Sequence, residues 1–439
     1  MAEKRNIVII GNGIAGITCA RNIRKRSKDS ITIISSESKH FFSRTALMYV
    51  YMGHMKYENI KPYEDWFWEK NNFRLIQNHV AKVDTNSKFL ELTNGDIIRY
   101  DILIIASGSK TKKYGWPGQD LEGVTGLYSL QDLEAITKVT AKINNAVVVG
   151  GGLIGVELAE MLHSKKIHVT FLVREKNFWD GVLPSAEATM VGNHIAQHGI
   201  KLLYETELKE ITESDDGKVR SVITNKGTEI PCGFVGITTG VEPNIDFLED
   251  SDIETDRGVL IDKHFETTVS GVYAIGDCAQ FINPVNNRKA IEQVWYTARM
   301  HGETLAQTLY GKTTPYNPGP WFNSAKFFDI EYQTYGDVYP KLSKDEKQFF
   351  WKHPVKEILI RFAWNGVSNV CIGVNSFGIR LRHELFDKWL SEKQTIQYII
   401  DHLHLANFDP EFFERHEKNI REAFYMEHPI SESKKEKVI

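Results

Sequence analysis

The sequence predicts an α/β chain built from two Rossmann-like dinucleotide-binding domains followed by a looser α+β region. Three observations carry that expectation. A strand, a GxGxxG turn and a helix open the chain; the same run recurs from residue 146; and beyond residue 312 strand-like and helix-like segments follow without a third fingerprint.

The first run begins at Asn6–Ile10 (N-I-V-I-I), apolar and β-branched throughout, the pattern of a strand buried on both faces. Gly11, Gly13 and Gly16 follow, and Ile14, Ile17, Ala20 and Ile23 then recur at helical spacing up to the basic end at Arg24, Lys25 and Arg26. In this arrangement the first glycine permits the tight turn, the second lets backbone approach a pyrophosphate, and the third lets helix pack on strand. The helix N-terminus offers free N–H groups to the anion. A second strand, Ile31 to Ile34, ends just before Glu37. An acid about 20 positions past the last glycine is placed to accept hydrogen bonds from a ribose.

The second run starts with the strand Ala146 to Val149 and repeats the glycines at Gly150, Gly152 and Gly155, enclosing Leu153 and Ile154, before a helix over Val156 to Ser164. Its next strand, His168 to Val173, ends on a valine, which cannot accept a ribose hydrogen bond. Arg174 beside it suits a 2′-phosphate, whereas Glu175 opposes one. The balance leans weakly to NADPH over NADH.

At 439 residues the chain has room for roughly three domains. Hydrophobic residues are 42% and charged residues 25%, so ordinary cores are expected, without metal or disulfide staples. Lys plus Arg number 53 against 57 Asp plus Glu, a net charge of −4, which argues against a broad attraction to nucleic acid or anionic membrane and leaves room for a local basic patch. The four cysteines, Cys19, Cys232, Cys278 and Cys371, form no CxxC pair and no zinc ribbon. With no targeting segment before Asn6 and no apolar run long enough to span a bilayer, a reduced, cytoplasmic chain is expected. Residues 431–439 read as a frayed tail.

Further segments resemble the FAD- and NAD(P)-dependent pyridine nucleotide-disulfide oxidoreductase family from Asn6 to Gly336. Tyr100 to Ser109 (Y-D-I-L-I-I-A-S-G-S) is similar to the family's strand ending in A-T-G, Thr238 to Asn244 to its second such strand, and Gly271 to Ala279 (G-V-Y-A-I-G-D-C-A) to its G-V-Y-A-x-G-D segment. The resemblance implies an FAD domain of residues 1–113 and 242–312, an NAD(P) domain inserted at 114–241, and an interface-like α+β domain at 313–430. It implies FAD binding by Gly11, Gly13, Ile14, Ala15, Gly16, Glu37, Arg44, Val80, Ala106, Ser107, Gly108, Asp277 and Trp295. NAD(P)H binding falls to Gly150, Gly152, Leu153, Ile154, Gly155, Arg174 and Gly240, and Glu157 would orient the nicotinamide. In the third domain, Ala325 to Tyr335, Glu357 to Phe362 and Val367 to Val374 read as strands, and Ile379 to Ser391 and Pro410 to Phe424 as helices, the latter started by Asp409 and Pro410. The aromatic run of Trp321, Phe322, Phe327, Phe328, Tyr332 and Tyr335 reads as sheet core, with a flavin or partner groove as the alternative.

The departures from that family narrow the function. The stretch His40 to Met55, where disulfide reductases carry their reactive cysteines, has none, and Cys19 and Cys278 read as small buried side chains. The family's C-terminal H-P-T segment is missing; His402 and His404 do not match it and form no metal site by themselves, so no metal is expected. Instead Phe41 to Leu47, with Arg44, resembles the Y-x-R-x-x-L segment of the ferredoxin, rubredoxin and nitrite reductase branch, and Gln293 to Ala298 resembles its E-[ST]-W-x-N-A segment. That branch pairs a lysine with the glutamate after the second fingerprint, but Tyr49 holds the lysine register, leaving Arg44 or Lys56 as partner for Glu157. The resemblance therefore implies electron transfer from NAD(P)H through flavin to a small iron–sulfur or rubredoxin-like protein. An oxidase or dehydrogenase using oxygen, a quinone or a small molecule, and a redox-switched binding module with slow turnover, stand as alternatives. Monomer and homodimer are both open.

Overall fold

A computed structural model describes residues 4–286, 288–409 and 411–429, so Pro410 and the tail at 431–439 lie outside the described residues. The chain forms two compact units, one of residues up to 150 with 158–171 and 207–318, the other of 151–157, 172–206 and 319 onward.

The first unit is organised by a five-stranded parallel sheet in the order Val272–Ala274, Ile102–Ile105, Asn6–Ile10, Ser30–Ser35, Phe73–Gln77. Its three central strands, Ile102–Ile105, Asn6–Ile10 and Ser30–Ser35, are rich in buried Ile, Val and Leu because both faces are covered, which is the condition under which parallel sheets are stable. One strand comes from beyond residue 241, so the sheet joins segments that are distant in sequence. Helix Ile14–Arg24 packs against helix Trp295–Tyr310 at Gly302, where a Cβ would fall 2.5 Å from the Ala15 carbonyl oxygen. Only glycine allows that approach. A three-stranded antiparallel sheet, Val80–Asp84, Phe89–Leu92 and Ile97–Arg99, flanks the same core.

Within this unit a second parallel arrangement pairs Asn145–Val149 with Phe234–Ile237, which in turn pairs with Val124–Thr125. The helix Leu130–Thr140 precedes it, started by a capping box: Ser129 Oγ accepts from the Asp132 N–H at 3.0 Å, and the Asp132 carboxylate accepts from the Ser129 N–H at 2.9 Å. The S-x-x-D spacing of Ser129 and Asp132 marks this helix start in the sequence.

The second unit carries a five-stranded antiparallel sheet, ordered Phe322–Phe327, Ile330–Gly336, Cys371–Phe377, Leu359–Asn365, Glu346–Lys352. Helices His383–Ser391, Ile396–His402 and Glu417–Glu427 share its core with Phe349, Phe362, Val374 and Phe386. Several boundaries differ from the expected ones. Ala325 to Tyr335 is a hairpin, because Phe328 adopts φ of +56° and reverses the chain in a run whose apolar character hides the turn. The next two strands begin later than expected, at Leu359 and Cys371, and the helix expected from Ile379 begins at His383. The helix expected from Pro410 begins at Glu417, since its buried face is His416, Ile420 and Phe424 at four-residue spacing, while Phe412 is exposed. The strand Glu346–Lys352 was not anticipated. Of the aromatic run, Phe327, Phe328, Tyr332 and Tyr335 are buried in this unit, as the core reading requires.

Candidate functional site

The two glycine turns use their glycines in the same way. Gly11 has φ of +109° and a Cβ there would lie 2.0 Å from the Ala106 carbonyl oxygen; Gly150 has φ of +113° and its Cβ would lie 2.6 Å from that of Thr238. Each first glycine thus lets the turn press against the neighbouring strand end. Around the second glycine of each turn, Gly13 and Gly152, a Cβ would meet nothing within 4 Å, so backbone faces open space where a pyrophosphate would approach. Gly16 closes the first turn, its Cβ position lying 2.2 Å from the Gly11 carbonyl oxygen. The first intrahelical bonds run from Ile17 N–H to Gly13 O at 3.0 Å and from Val156 N–H to Gly152 O at 3.1 Å. The N–H groups of Ile14, Ala15 and Gly16, and of Leu153, Ile154 and Gly155, precede these bonds at the helix starts. Asn12, unremarked in the sequence, fastens the first turn by donating from Nδ2 to Ser38 O at 2.8 Å.

Beyond the turns the sites diverge. Glu37 is already engaged: Oε1 accepts from Arg44 Nη1 and from the Leu130 N–H, both at 2.8 Å, and Oε2 accepts from Arg44 Nη2 at 2.5 Å. A carboxylate has about four lone-pair positions, so room for a ribose hydroxyl remains. Glu37, Ser38, Tyr57, Gln77, Leu130 and Gln131 line a cleft of about 320 Å³. Arg44 also donates to the Tyr128 carbonyl and lies over the Tyr128 ring at 4.4 Å. Burial alone would lower its pKa, but the pairing with Glu37 outweighs that and keeps it charged. Arg44 is thus the partner of Glu37.

Asp277 sits in the short turn Gly276–Cys278 at the end of the strand Val272–Ala274. Its Oδ2 accepts from the Ser109 hydroxyl at 3.2 Å and from the Tyr128 hydroxyl at 3.5 Å. Gln293 Nε2 donates to the same Ser109 oxygen at 2.9 Å. Burial pushes the Asp277 carboxyl up to about 6, against the downward pull of Ser109, Arg44 and Tyr128. His301 holds the turn from behind, its Nδ1 accepting from the Gly276 N–H at 3.1 Å. Burial, and then the Arg288 charge, push His301 down to about 3, so its ring is neutral and Nε2 carries the proton. Ser107 donates to Asn244 O at 2.7 Å, Gly108 follows it, and Val80 opens the strand Val80–Asp84. Trp295 begins its helix with its ring edge-on to Tyr296 at 5.5 Å. Sequence reasoning missed Ser109, Tyr128, Leu130 and His301; only Leu130 had a signal, the capping box.

At the second site Val173 is buried and packs beneath the turn, 2.9 Å from where a Gly151 Cβ would sit. Arg174 is exposed and donates to its neighbour Glu175 at 2.9 Å, which offsets the charge offered to a 2′-phosphate. Glu157 lies on helix Leu153–Ser164, and Gly240 lies past the strand Phe234–Ile237, its carbonyl accepting from the Lys112 N–H at 3.1 Å. All four cysteines are buried free thiols, and burial raises the pKa of each. The open second glycines and helix N-termini fit one dinucleotide at each turn, and the buried Asp277 carboxyl could accept from polyol hydroxyls at the first.

The profile described as "Pyridine nucleotide-disulphide oxidoreductase" matches residues 5–302. The chain is 31% identical over 282 residues to nitrite reductase [NAD(P)H] of Bacillus subtilis (strain 168), covering 63% of this chain and 34% of that protein. It therefore spans about a third of the length of that relative. It is 28% identical over 325 residues to rhodocoxin reductase of Rhodococcus erythropolis, covering 73% and 76% of the two chains. Among solved structures, a ferredoxin reductase from Rhodopseudomonas palustris superposes with a TM-score of 0.77 at 22% identity, covering 85% of this chain and 91% of that one. That likeness establishes the fold. Among the described residues, no helix is long and apolar enough to cross a membrane.

Proposed function

This chain belongs to the pyridine nucleotide-disulphide oxidoreductase family, and on that premise we propose that it is an FAD-dependent NAD(P)H oxidoreductase delivering electrons to a small iron–sulfur or rubredoxin-like protein. The observation that carries the reading is the pair of glycine turns, each with its second glycine open, in a chain whose four thiols are all buried. Two nucleotides are accommodated and no thiol is placed to relay electrons, so the acceptor is external. The relative named rhodocoxin reductase supports a protein acceptor.

In this reading residues 1–113 and 242–312 form the FAD domain, 114–241 the NAD(P) domain, and 313–430 an interface-like domain. FAD, when bound, supplies hydride acceptance and onward release of electrons. The protein's part is positional. The first turn would offer N–H groups to the pyrophosphate, Glu37, held by Arg44 and Leu130, would fix the ribose, and Asp277, held by Ser109 and Tyr128, would accept from the ribityl chain. Gly150, Gly152 and Gly155 cradle NAD(P)H, with Glu157 set to orient the nicotinamide. A cytoplasmic setting agrees with four unpaired cysteines.

Anaerobic rapid mixing tests the proposal: protein as purified should show flavin absorbance, bleach with NADH or NADPH, and recover fast only with an iron–sulfur or rubredoxin-type acceptor. Absence of flavin after reconstitution, or fast recovery with oxygen alone, would sink it.

A further inference from the structure

The second unit holds a cluster that the nucleotide sites do not use. Helix Ser185–Gln197 presents His194 and, at its C-cap, His198, one turn apart and on one face. The hairpin tip at Phe328–Asp329 meets them. Phe328 takes its left-handed backbone conformation, unusual for a bulky aromatic, with its ring stacked on His198 at 4.3 Å and 22°. Asp329 is thereby aimed at both imidazoles: its Oδ1 lies 2.5 Å from His194 Nε2 and 3.7 Å from His198 Nε2. One ligand atom from each of the three residues falls within 4.8 Å of the others.

Each imidazole has an acceptor behind it. His198 Nδ1 lies 2.9 Å from the His194 carbonyl oxygen, so Nδ1 donates and the Nε2 lone pair points into the cluster. His194 is 6% exposed; its Nδ1 has no aligned hydrogen bond among the described residues, and the Glu357 carboxylate lies against it as an ion-pair partner. In this structure His194 Nε2 is hydrogen-bonded to Asp329 Oδ1; when a cation replaces the proton of that bond, a proton on Nδ1 facing Glu357 leaves the Nε2 lone pair turned inward as well. Two imidazole lone pairs and a carboxylate oxygen then converge on one point, an arrangement that a cation satisfies. Asp329, 75% exposed at the side chain on a hairpin tip, can swing outward. Ligand atoms would need to stand about 3.3 Å apart for tetrahedral bonds of about 2.0–2.1 Å. The open side leaves a fourth position for water.

We propose that His194, His198 and Asp329 bind a divalent transition ion, Zn²⁺ by ligand chemistry, which ties helix Ser185–Gln197 to the hairpin, with Glu357 orienting His194. Two imidazoles with one carboxylate suit Zn²⁺, Co²⁺ or Ni²⁺ and do not suit Mg²⁺ or Ca²⁺, which take oxygen ligands. An i, i+4 histidine pair stood in the sequence at N-H-I-A-Q-H, but the third ligand comes from a turn that the sequence reading did not place.

The test uses tag-free, full-length protein, stripped with a chelator and titrated with Co²⁺. Binding of one Co²⁺ per chain, with the visible bands of tetrahedral cobalt and their loss on adding Zn²⁺, is expected. His198→Gln and Asp329→Asn, both at solvent-accessible positions, should each weaken Co²⁺ binding more than Glu357→Gln, whose expected cost is about 10- to 100-fold. Far-ultraviolet circular dichroism confirms that each variant is folded. Absence of stoichiometric binding to the parent protein, or binding unchanged in the folded His198→Gln/Asp329→Asn double variant, overturns the proposal.

Discussion

The two glycine turns share a backbone and differ in what surrounds them. The first is braced by side chains: Asn12 ties it to Ser38, Glu37 is clamped by Arg44 and Leu130, and Asp277 is held by Ser109 and Tyr128. The second ends in a buried valine and a pair formed by exposed Arg174 and half-buried Glu175. Pre-organised polar groups suit a nucleotide that stays bound, because little ordering remains to be done on binding. A partly exposed, self-compensated pair suits one that exchanges with every turnover. In the proposed reading the same motif would serve a resident cofactor at the first turn and a passing one at the second.

The comparison breaks most completely at the turns. Gly11→Val sets a branched side chain at φ of +109°, into the Ala106 carbonyl, and should leave protein without flavin or without a fold, read from the absorbance of the soluble fraction. Gly13→Ala meets no neighbour and should retain the fold while weakening flavin binding. Equal damage from both would show that the open space at Gly13 has no role.

The next effect is on pH dependence, since the braced site contains two groups displaced in opposite directions beside Gly276. Asp277 is raised from 3.8 to about 6, so the folded chain retains a proton that the unfolded chain has lost. Its contribution to stability therefore falls as pH rises from about 4 to 6, by roughly 3 kcal/mol at most. His301 is lowered from 6.5 to about 3, so its contribution is present above 6.5 and is lost as pH falls towards 3, by an amount of order 5 kcal/mol. Between about 4 and 6 the two slopes oppose each other. In flavin-free protein, Asp277→Asn should raise stability at pH 7 and steepen the loss on acidification, whereas His301→Gln should flatten that loss. Urea unfolding across pH checks both, and identical profiles for parent and variants would refute the assignment. Asp277→Asn should also weaken flavin binding, because the amide accepts fewer ribityl hydrogen bonds.

Why some of this was legible in the sequence follows from range. Gly11 to Gly16, the Ile-rich strand before them and Glu37 act over a short stretch of chain, so their spacing reports their geometry. Asp277 was found through its segment, since the turn after Val272–Ala274 is also local. Ser109, Tyr128 and His301 reach the Gly276–Asp277 turn from separate segments, and no pattern along the chain marks such convergence. In the second unit the hairpin at Phe328 was read as one strand because an aromatic occupies a conformation usually taken by glycine or asparagine. That single reversal also concealed how Asp329 meets His194 and His198.

Glu37 gives a smaller and more selective effect. Glu37→Gln keeps the size and one acceptor oxygen but leaves Arg44 without its bidentate anion, so flavin dissociation should speed up with little change in the spectrum of bound flavin. A fluorescence-based dissociation constant about tenfold weaker fits a clamped ribose acceptor; an unchanged constant would mean that Glu37 braces Arg44 alone.

The smallest effect belongs to the Arg174–Glu175 pair at the second site, and it decides the nucleotide. Arg174 donates to Glu175 across solvent, where ion pairs contribute little and are screened by salt. A 2′-phosphate would have to compete with Glu175 for the guanidinium. Glu175→Gln removes the competitor and should lower KM for NADPH several-fold with KM for NADH unchanged; Arg174→Gln should do the reverse for NADPH. Steady-state kinetics at low and high salt separate these outcomes, because a charge effect fades with ionic strength. If both variants leave the KM ratio of the two nucleotides where it was, selection lies with other residues and the leaning towards NADPH is lost.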